Sequence, residues 1–278
     1  MEIKEQTQWT PPPAQVPANE GFVTVPGARL WYWDTNGPGE AIVLLHPSTG
    51  SGAVWLYQQP VFAGVGYRVI GYSRRGHYRS DRGDEIGHGT AADDLDMLAD
   101  QLGLERFHLV GSAAGGFHVV DYALSHPERL LSITLACTQG GAADPAYRKT
   151  INRVTPSEFI KEMSSSFREL GPSYRAGFLA GVAHWEALEH ESLSGDRVRQ
   201  PMANMLTWDN IERIAIPALM FTGDADLYMP PYLMREYASH LQNCETAVVP
   251  GSGHSAYWEQ PEIFNALVLD FIGRHRAK

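Results

Sequence analysis

Cysteine is scarce in this chain, which excludes a fold held together by several disulfides. Only two of the 278 residues are cysteine, Cys137 and Cys244, and their spacing matches no zinc motif. Histidine occurs 11 times, but no pair has the spacing that puts two metal-binding rings on one helix face. We therefore expect neither a metal site nor a cofactor.

Excess positive charge and long apolar runs are also missing. The chain has 22 Lys and Arg residues against 32 Asp and Glu, so its formal net charge is −10. An acidic surface disfavours binding to nucleic acid or to an anionic membrane. No apolar run is long enough to span a membrane, and the first residues lack a signal-peptide pattern, so we expect a cytoplasmic location. The expected partner is a small-molecule substrate, and the oligomeric state is left open.

Apolar runs alternate with helical patterns along most of the chain. Gly21–Val25 and Arg29–Asp34 alternate apolar and polar residues, which predicts an antiparallel pair at a sheet edge. The continuous apolar run Ala41–Leu45 predicts a strand covered on both faces. Further strands are predicted at Tyr67–Tyr72, Phe107–Val110, Leu131–Cys137, Ala218–Thr222 and Thr246–Val249. Helical patterns cover Thr90–Leu102, the segment from Gly116 to about His126, and Ile263–Arg274. This alternation predicts an α/β fold with a mostly parallel, doubly wound sheet.

Two regions depart from the alternation. Residues 1–20 are polar and proline-rich, which predicts a flexible N-terminal arm. Residues 140–214 contain no clear strand but several helical stretches, including Pro156–Leu170 and Ser173–Leu188. We predict that they form a helical cap on a core of residues 21–139 and 215–278. Most large apolar side chains of the cap should pack within it, and some should face a ligand; they are Phe159, Phe167, Phe178, Trp185, Met202, Met205 and Trp208.

The stretch FHLVGSAAGGFHVVDY, Phe107–Tyr122, lacks the residue that its own pattern requires. A buried strand, a glycine-framed turn and a helix form the layout of a nucleophile elbow, G-x-S-x-G. Gly111 and Gly115 supply the frame, because neighbouring backbone leaves no room there for a β-carbon. The position between them is Ala113. Ser112 is a poor replacement, because the framing glycines are lost when it is taken as the apex.

An acid and a histidine follow the elbow in chain order, each after a predicted strand. Asp226 lies in ALMFTGDADLYMP, where a carboxylate at the sheet edge can orient a histidine. Asp224 is the rival, but its place directly after Gly223 suggests that it braces the turn. His254 lies in the glycine-flanked loop of VVPGSGHSAYWEQP. The order of elbow, acid and histidine is that of a Ser-Asp-His triad on an α/β sheet.

The loop LLHPSTGSGAVW can supply an oxyanion hole. It leaves a predicted strand, so the backbone N–H of Ser48 can point at the reaction centre together with the N–H of Ala114. We interpret His46 as a brace for this loop. It is also a candidate for contact with the substrate, as are Trp185 and Trp208 of the cap.

Taken together, these stretches resemble the α/β-hydrolase family from about Gly21 to Lys278. The pattern H-x-x-x-x-S-x-x-x-W is present as His46, Ser51 and Trp55, and SRRGHYRSD is similar to the family loop D-x-R-G-x-G-x-S-D. GDADLYMP and GSGHSAYWEQPEIF resemble the family stretches that bear the acid and the histidine. The resemblance implies a serine hydrolase with a helical cap.

The chain departs from the family pattern at several positions. Pro47 replaces the usual glycine after His46, and because proline lacks an N–H, Ser48 must supply the oxyanion-hole donor. Tyr78 replaces the second glycine of the RGxG loop. The largest departure is Ala113.

Ala113 leaves three interpretations open. Ser112 could be the nucleophile, the chain could be a natural ligand-binding member of the fold, or Ala113 could be a Ser→Ala substitution in a parent that reads GSSAGG. We favour the substitution, because an acid–histidine pair has no obvious use without a nucleophile. The parent would then cleave a carboxylic ester or lactone of an apolar or aromatic small molecule, with C–C bond hydrolysis as the alternative. An aspartate nucleophile, for epoxide hydrolysis or dehalogenation, ranks below serine. The chain as written would be almost inactive.

Overall fold

A mixed eight-stranded sheet is the frame of the computed structural model, which describes residues 9–83, 89–155, 158, 162–193 and 195–277. The strands are β1 (Asn19–Val25), β2 (Ala28–Asp34), β3 (Ala41–Leu45), β4 (Arg68–Tyr72), β5 (Phe107–Ser112), β6 (Leu130–Ala136), β7 (Ala218–Gly223) and β8 (Cys244–Val249). Their order across the sheet is β1-β2-β4-β3-β5-β6-β7-β8. The pairs β1–β2 and β2–β4 are antiparallel, and the pairs from β4 through β8 are parallel. The predicted α/β fold with a mostly parallel sheet is therefore confirmed.

Helices cover both faces of this sheet. They are α1 (Gln59–Gly64), α2 (Ala91–Gln101), α3 (Ala114–Ser125), α4 (Pro145–Val154), α5 (Ser165–Glu169), α6 (Pro172–Gly177), α7 (Leu179–Ser192), α8 (Trp208–Ile211), α9 (Pro231–Ala238), α10 (Ala256–Glu259) and α11 (Pro261–Arg274). None of the helices in the described part of the chain is long and apolar enough to cross a membrane.

The core consists of two apolar clusters, one on each face of the sheet. Successive residues of β3 alternate between them: Val43 belongs to one cluster, and Ile42 and Leu44 belong to the other. This alternation follows from the two-residue repeat of a strand, and it explains why β3 is buried along its whole length. The parallel strands thus end together at one sheet edge, where their following loops can meet.

The described part of the N-terminal segment is bound to the core. Residues 9–18 form no helix or strand. The N–H of Val16 donates to Gln59 Oε1 at 3.0 Å, and Gln59 Nε2 donates to the Val16 carbonyl at 2.8 Å. The hydroxyl of Tyr57 donates to the Thr10 carbonyl at 2.6 Å. Residues 1–8 of the predicted arm lie outside the described residues.

The segment between β6 and β7 holds α4 to α8. The predicted helix Pro156–Leu170 lies partly outside the described residues, and its described end contains α5. The predicted helix Ser173–Leu188 is two helices, because Phe178 leaves the helical region with φ −129° and ψ 57°. Leu206 and Ile211, near the end of this segment, belong to a core cluster. The segment is therefore joined to the core by apolar packing as well as by the chain.

Candidate active site

Ala113 occupies the apex of a sharp turn between β5 and α3. Its backbone has φ 51° and ψ −115°, a conformation that residues with a β-carbon rarely adopt. The Ala113 N–H donates to the Ala136 carbonyl at 2.9 Å, and the Gly116 N–H donates to the Ala113 carbonyl at 3.0 Å. The turn is thus held by a neighbouring strand and by the helix that follows it.

The framing glycines explain how this conformation is maintained. A β-carbon on Gly115 would collide with the Leu45 carbonyl oxygen of β3, and one on Gly111 would lie 2.7 Å from the backbone of Gly115. Ser112, the alternative nucleophile, is 1% exposed, and its hydroxyl has no hydrogen-bond partner among the described residues. It is not among the residues that line the cavity described below.

Asp226 and His254 form a direct pair at the carboxyl edge of the sheet. The Nδ1 atom of His254 lies 2.9 Å from both carboxylate oxygens of Asp226. Oδ1 of Asp226 also accepts the N–H groups of Tyr228 at 2.8 Å and Met229 at 2.9 Å, and its Oδ2 accepts the Thr222 hydroxyl at 2.8 Å. These donors fix the carboxylate, and the carboxylate in turn holds the proton on Nδ1 and leaves Nε2 as the basic nitrogen.

The electrostatics of the pair favour its charged form. Burial alone would lower the pKa of His254, but the Asp226 carboxylate outweighs it and raises that pKa above its ordinary value. Burial alone would raise the pKa of Asp226, but His254 and the hydrogen-bond donors around the carboxylate lower it. The buried pair can therefore accept a proton at Nε2 and stabilise the resulting imidazolium.

The loop that carries His254 is anchored to the helical segment. The Glu169 carbonyl accepts the N–H of His254 at 2.7 Å and that of Ser255 at 3.1 Å. The Glu259 carboxylate accepts the N–H of Gly253 at 2.9 Å and that of Gly171 at 2.6 Å. The position of the histidine therefore depends on contacts with the residues around α5 and α6.

Ser48 and Ala114 line one cavity, and neither backbone N–H has an acceptor among the described residues. Ala114 is the first residue of α3, so its N–H has no acceptor within the helix. Across the described residues, no acceptor is hydrogen-bonded to the N–H of Ser48. Both residues line a cavity of about 250 Å³ together with Ala113 and His254. This arrangement is suited to binding an oxyanion that forms above Ala113.

His46 braces the loop that carries Ser48. The Arg74 N–H donates to Nε2 of His46 at 3.1 Å, so Nδ1 carries the hydrogen and donates to the Pro47 carbonyl at 2.7 Å. Burial lowers the pKa of His46 well below its ordinary value, which keeps the ring neutral. The ring is fully buried and is not among the residues that line the cavity.

Comparisons with known proteins show the family to which this chain belongs. The family model described as alpha/beta hydrolase fold matches residues 40–261. The chain belongs to the α/β-hydrolase family. A 2-hydroxy-6-oxononadienedioate/2-hydroxy-6-oxononatrienedioate hydrolase from Paraburkholderia phymatum is 30% identical, in a match that covers 88% of this chain and 91% of the relative.

Solved structures show the same fold at lower identity. A thermophilic esterase from Thermogutta terrifontis, with malate bound, is similar with a TM-score of 0.73 and 23% identity, over 93% of this chain and 100% of that one. Est816, named as an N-acyl homoserine lactone degrading enzyme, gives a TM-score of 0.72 and 23% identity over 90% and 100% of the two chains.

The structure brings together only some of the residues that the sequence singled out in this α/β-hydrolase. Ala113, Ser48, Ala114 and His254 line one cavity, and Asp226 lies behind His254. Asp224, the rival acid, has its Oδ1 atom 3.3 Å from the N–H of Ser252, as expected for a residue that braces the turn.

The two tryptophans proposed as substrate contacts lie elsewhere. Trp185 is 3% exposed and packs in an apolar cluster with Trp258. Trp208 stacks on the His240 ring at 3.9 Å and packs edge-on against Tyr147 and Tyr237. Neither tryptophan is among the residues that line the cavity. Both rings pack against neighbouring side chains instead of lining the cavity.

Several cavity residues carried no clear signal in the sequence. They are Thr49, Phe117, Gln139, Arg168, Glu169, Arg197 and Tyr228. Thr49 and Phe117 are close in sequence to Ser48 and Ala114, so the motifs could have indicated them. Arg168, Glu169 and Arg197 of the cap could not be found in this way, because they lie on a short helix or in irregular chain, where no periodicity shows which side chains face the cavity.

A second cavity adjoins the first. It has a volume of about 630 Å³ and shares Phe117 and Gln139 with the smaller cavity. Met202 and Met205 line this second cavity. Both belong to the large apolar side chains of the cap, some of which were expected to face a ligand. Among the described residues, no group of three or more His, Cys, Asp and Glu side chains is arranged to hold a metal ion.

Proposed function

We propose that this site belongs to a serine hydrolase that cleaves a carboxylic ester or lactone, with alanine in the place of its nucleophile. The observation that carries the proposal is the Asp226–His254 pair at a cavity that is also lined by the strained elbow apex and by Ser48 and Ala114. An elbow of this geometry serves to present an oxygen or sulfur nucleophile. Ala113 lacks such an atom.

With serine at position 113, the surrounding groups have defined roles. The hydroxyl would attack the carbonyl carbon while Nε2 of His254 takes its proton. The N–H groups of Ser48 and Ala114 would stabilise the oxyanion, and His254 would then protonate the leaving group. Water activated by His254 would finally hydrolyse the acyl-enzyme.

The chain as written should bind substrate without turning it over efficiently. Loss of the nucleophile from a complete triad costs on the order of 10⁶-fold in turnover. Alanine differs from serine by one oxygen, so the shape of the cavity changes little. The adjoining cavity, with Met202, Met205 and Leu206, is suited to an apolar part of the substrate.

Hydrolysis of a C–C bond next to a ketone is the second candidate. It is favoured by the relative from Paraburkholderia phymatum, which is named as a hydrolase of a 2-hydroxy-6-oxo dienedioate. The same triad and oxyanion hole can serve this reaction, because the electrophile is again a carbonyl carbon. A natural ligand-binding member of the fold is the non-catalytic alternative.

The test is to install Ala113→Ser and assay 4-nitrophenyl acetate and butyrate, a γ-lactone, and a 2-hydroxy-6-oxo dienoate. We expect ester or lactone hydrolysis to rise by at least 10³-fold over the chain as written. The matched control is Ala113→Ser combined with His254→Ala, which should lose the gain. No gain with the ester and lactone substrates would overturn the proposal, and turnover of the dienoate alone would favour the second candidate.

A further inference from the structure

Two arginines line the cavity next to Ala113, although the whole chain has a net charge of −10. Arg168 and Arg197 both line it, together with Ser48 and His254. We propose that the substrate carries a carboxylate group away from the bond to be cleaved, and that Arg168 and Arg197 bind this carboxylate. The inference rests on the proposed function of the same cavity and specifies its substrate class.

Arg168 is fixed in position before any ligand arrives. Its guanidinium donates to the Tyr228 hydroxyl at 2.7 Å, to Ser165 Oγ at 3.1 Å and to the Met163 carbonyl at 3.1 Å. An arginine held in this way loses little further conformational entropy on binding a carboxylate.

The same contacts relate Arg168 to the catalytic pair. The Tyr228 ring lies 4.6 Å from the His254 ring, and the Tyr228 N–H donates to Asp226. The carbonyl of the next residue, Glu169, accepts the His254 N–H. The distance between Arg168 and the reaction centre is therefore set by short, direct contacts.

Arg197 differs because its charge is not matched by a carboxylate. Within the described residues, it makes no ion pair and no side-chain hydrogen bond, and it is exposed. Its charge still acts on the buried residues nearby. Burial and Arg74, with a smaller contribution from Arg197, lower the pKa of His77 to about 3. Arg197 thus adds positive potential on this side of the cavity.

The acidic groups at the site do not cancel both arginines. Asp226 does not line the cavity, and its carboxylate is hydrogen-bonded by His254 and by the N–H groups of Tyr228 and Met229. The other carboxylate is Glu169, which lines the cavity, accepts the Thr49 hydroxyl at 2.8 Å and has a pKa raised by burial. When it is ionised, it offsets Arg168, which is adjacent in sequence, and one positive charge is left over. A carboxylate ligand would supply that missing negative charge and can form paired hydrogen bonds with a guanidinium.

The proposal is tested with two esters of matched length in the Ala113→Ser protein. Mono-4-nitrophenyl glutarate carries a distal carboxylate, and 4-nitrophenyl pentanoate carries a methyl group there. We expect the glutarate ester to be preferred in kcat/KM, mainly through KM. Arg197→Gln and Arg168→Gln should each lower this preference by about tenfold, as for the loss of a charged hydrogen bond. Arg197→Lys should restore part of it, and higher salt should reduce it.

Arg153→Gln is the matched control, because Arg153 is an exposed cap arginine that lines neither cavity. It should leave the preference unchanged. Arg197 has no structural hydrogen bonds among the described residues, so its variants remain informative even if Arg168→Gln fails to fold. No preference for the glutarate ester, or a preference that both Arg197 and Arg168 variants retain, overturns the proposal.

Binding to the chain as written separates this proposal from the proposed hydrolase function. Isothermal titration calorimetry would compare monomethyl glutarate with methyl pentanoate, and needs no turnover. Tighter binding of the glutarate that depends on Arg197 supports the carboxylate site even if Ala113→Ser is inactive. Equal binding of both compounds overturns the carboxylate site while leaving an active Ala113→Ser hydrolase intact.

Discussion

Ala113 brings no side-chain oxygen to the site that Asp226 and His254 form. With alanine at the apex the turn is strained, with φ 51°, and Gly115 packs against β3. The strain is therefore maintained by the surrounding backbone and not by a catalytic hydrogen bond. The Asp226–His254 pair is likewise held by neighbours that are independent of position 113. A serine introduced there should accordingly meet a site that is already organised.

The pH dependence of the Ala113→Ser protein should report on Asp226. His254 must be neutral to accept a proton, so kcat/KM should rise with pH as its ring deprotonates. Because Asp226 raises the pKa of His254, Asp226→Asn should move this acidic limb to lower pH. It should also lower kcat by about 10⁴-fold, because the asparagine no longer stabilises the imidazolium. Profiles of kcat/KM between about pH 5 and pH 9 would measure both effects.

Asp224→Asn is the comparison for this prediction. Asp224 lies two residues from Asp226 but contacts the Ser252 N–H and not His254. It should leave the acidic limb in place. If Asp224→Asn shifted the limb and Asp226→Asn did not, the assignment of the catalytic acid would be wrong.

At the scale of elements, the site depends on how closely β3, β5 and α3 approach one another. α3 begins directly at the elbow, and its first turn passes over the end of β3. Gly115 is the residue of closest approach, since a β-carbon there meets the Leu45 carbonyl. The elbow therefore requires glycine for packing as well as for conformation.

Gly115→Ala should destabilise the protein, by about 2 kcal/mol or more, because either β3 or α3 must move. Gly273→Ala provides a contrast within another helix, α11. A β-carbon at Gly273 meets nothing within 4 Å, so this change should stabilise the protein by about 0.5–1 kcal/mol. Urea denaturation followed by circular dichroism would give both free energies of unfolding. Equal effects of the two substitutions would refute the packing explanation.

At the scale of the whole molecule, the helical segment and the sheet share contacts at the site. The Glu169 carbonyl binds the His254 loop, and Glu259 bridges Gly171 and Gly253. Trp185 of α7 packs in the same apolar cluster as Trp55 and Trp258. The residues that line the cavity therefore belong to a continuous packed structure.

We expect the cap and the core to unfold together for this reason. The fluorescence difference between the Ala113 chain and its Trp185→Phe variant reports on the cap, and far-ultraviolet circular dichroism reports on the helices and strands of the whole fold. Their urea midpoints should coincide. A fluorescence change at clearly lower urea would show that the cap loosens first.

The sequence by itself determined the frame of the site. The buried strands, the glycine-framed elbow, Asp226 and His254 could be found because each belongs to a local pattern with a fixed spacing. The strand predictions succeeded for the same reason, since β3 and β5 are buried on both faces and show as continuous apolar runs. The cap boundaries at 140 and 214 and the inactivity of the chain remain predictions.

Tertiary structure alone decided which cap residues reach the cavity. Trp185 and Trp208 were candidates for contact with the substrate because their side chains are large and aromatic. Each ring instead packs against residues that are distant in sequence. Arg168 and Arg197 lie against the cavity because short helices and irregular chain bring them there. Neither segment has a periodicity that reveals its inward face. The local pattern therefore gave the chemistry at the sheet edge, and long-range packing set the shape and charge of the pocket above it.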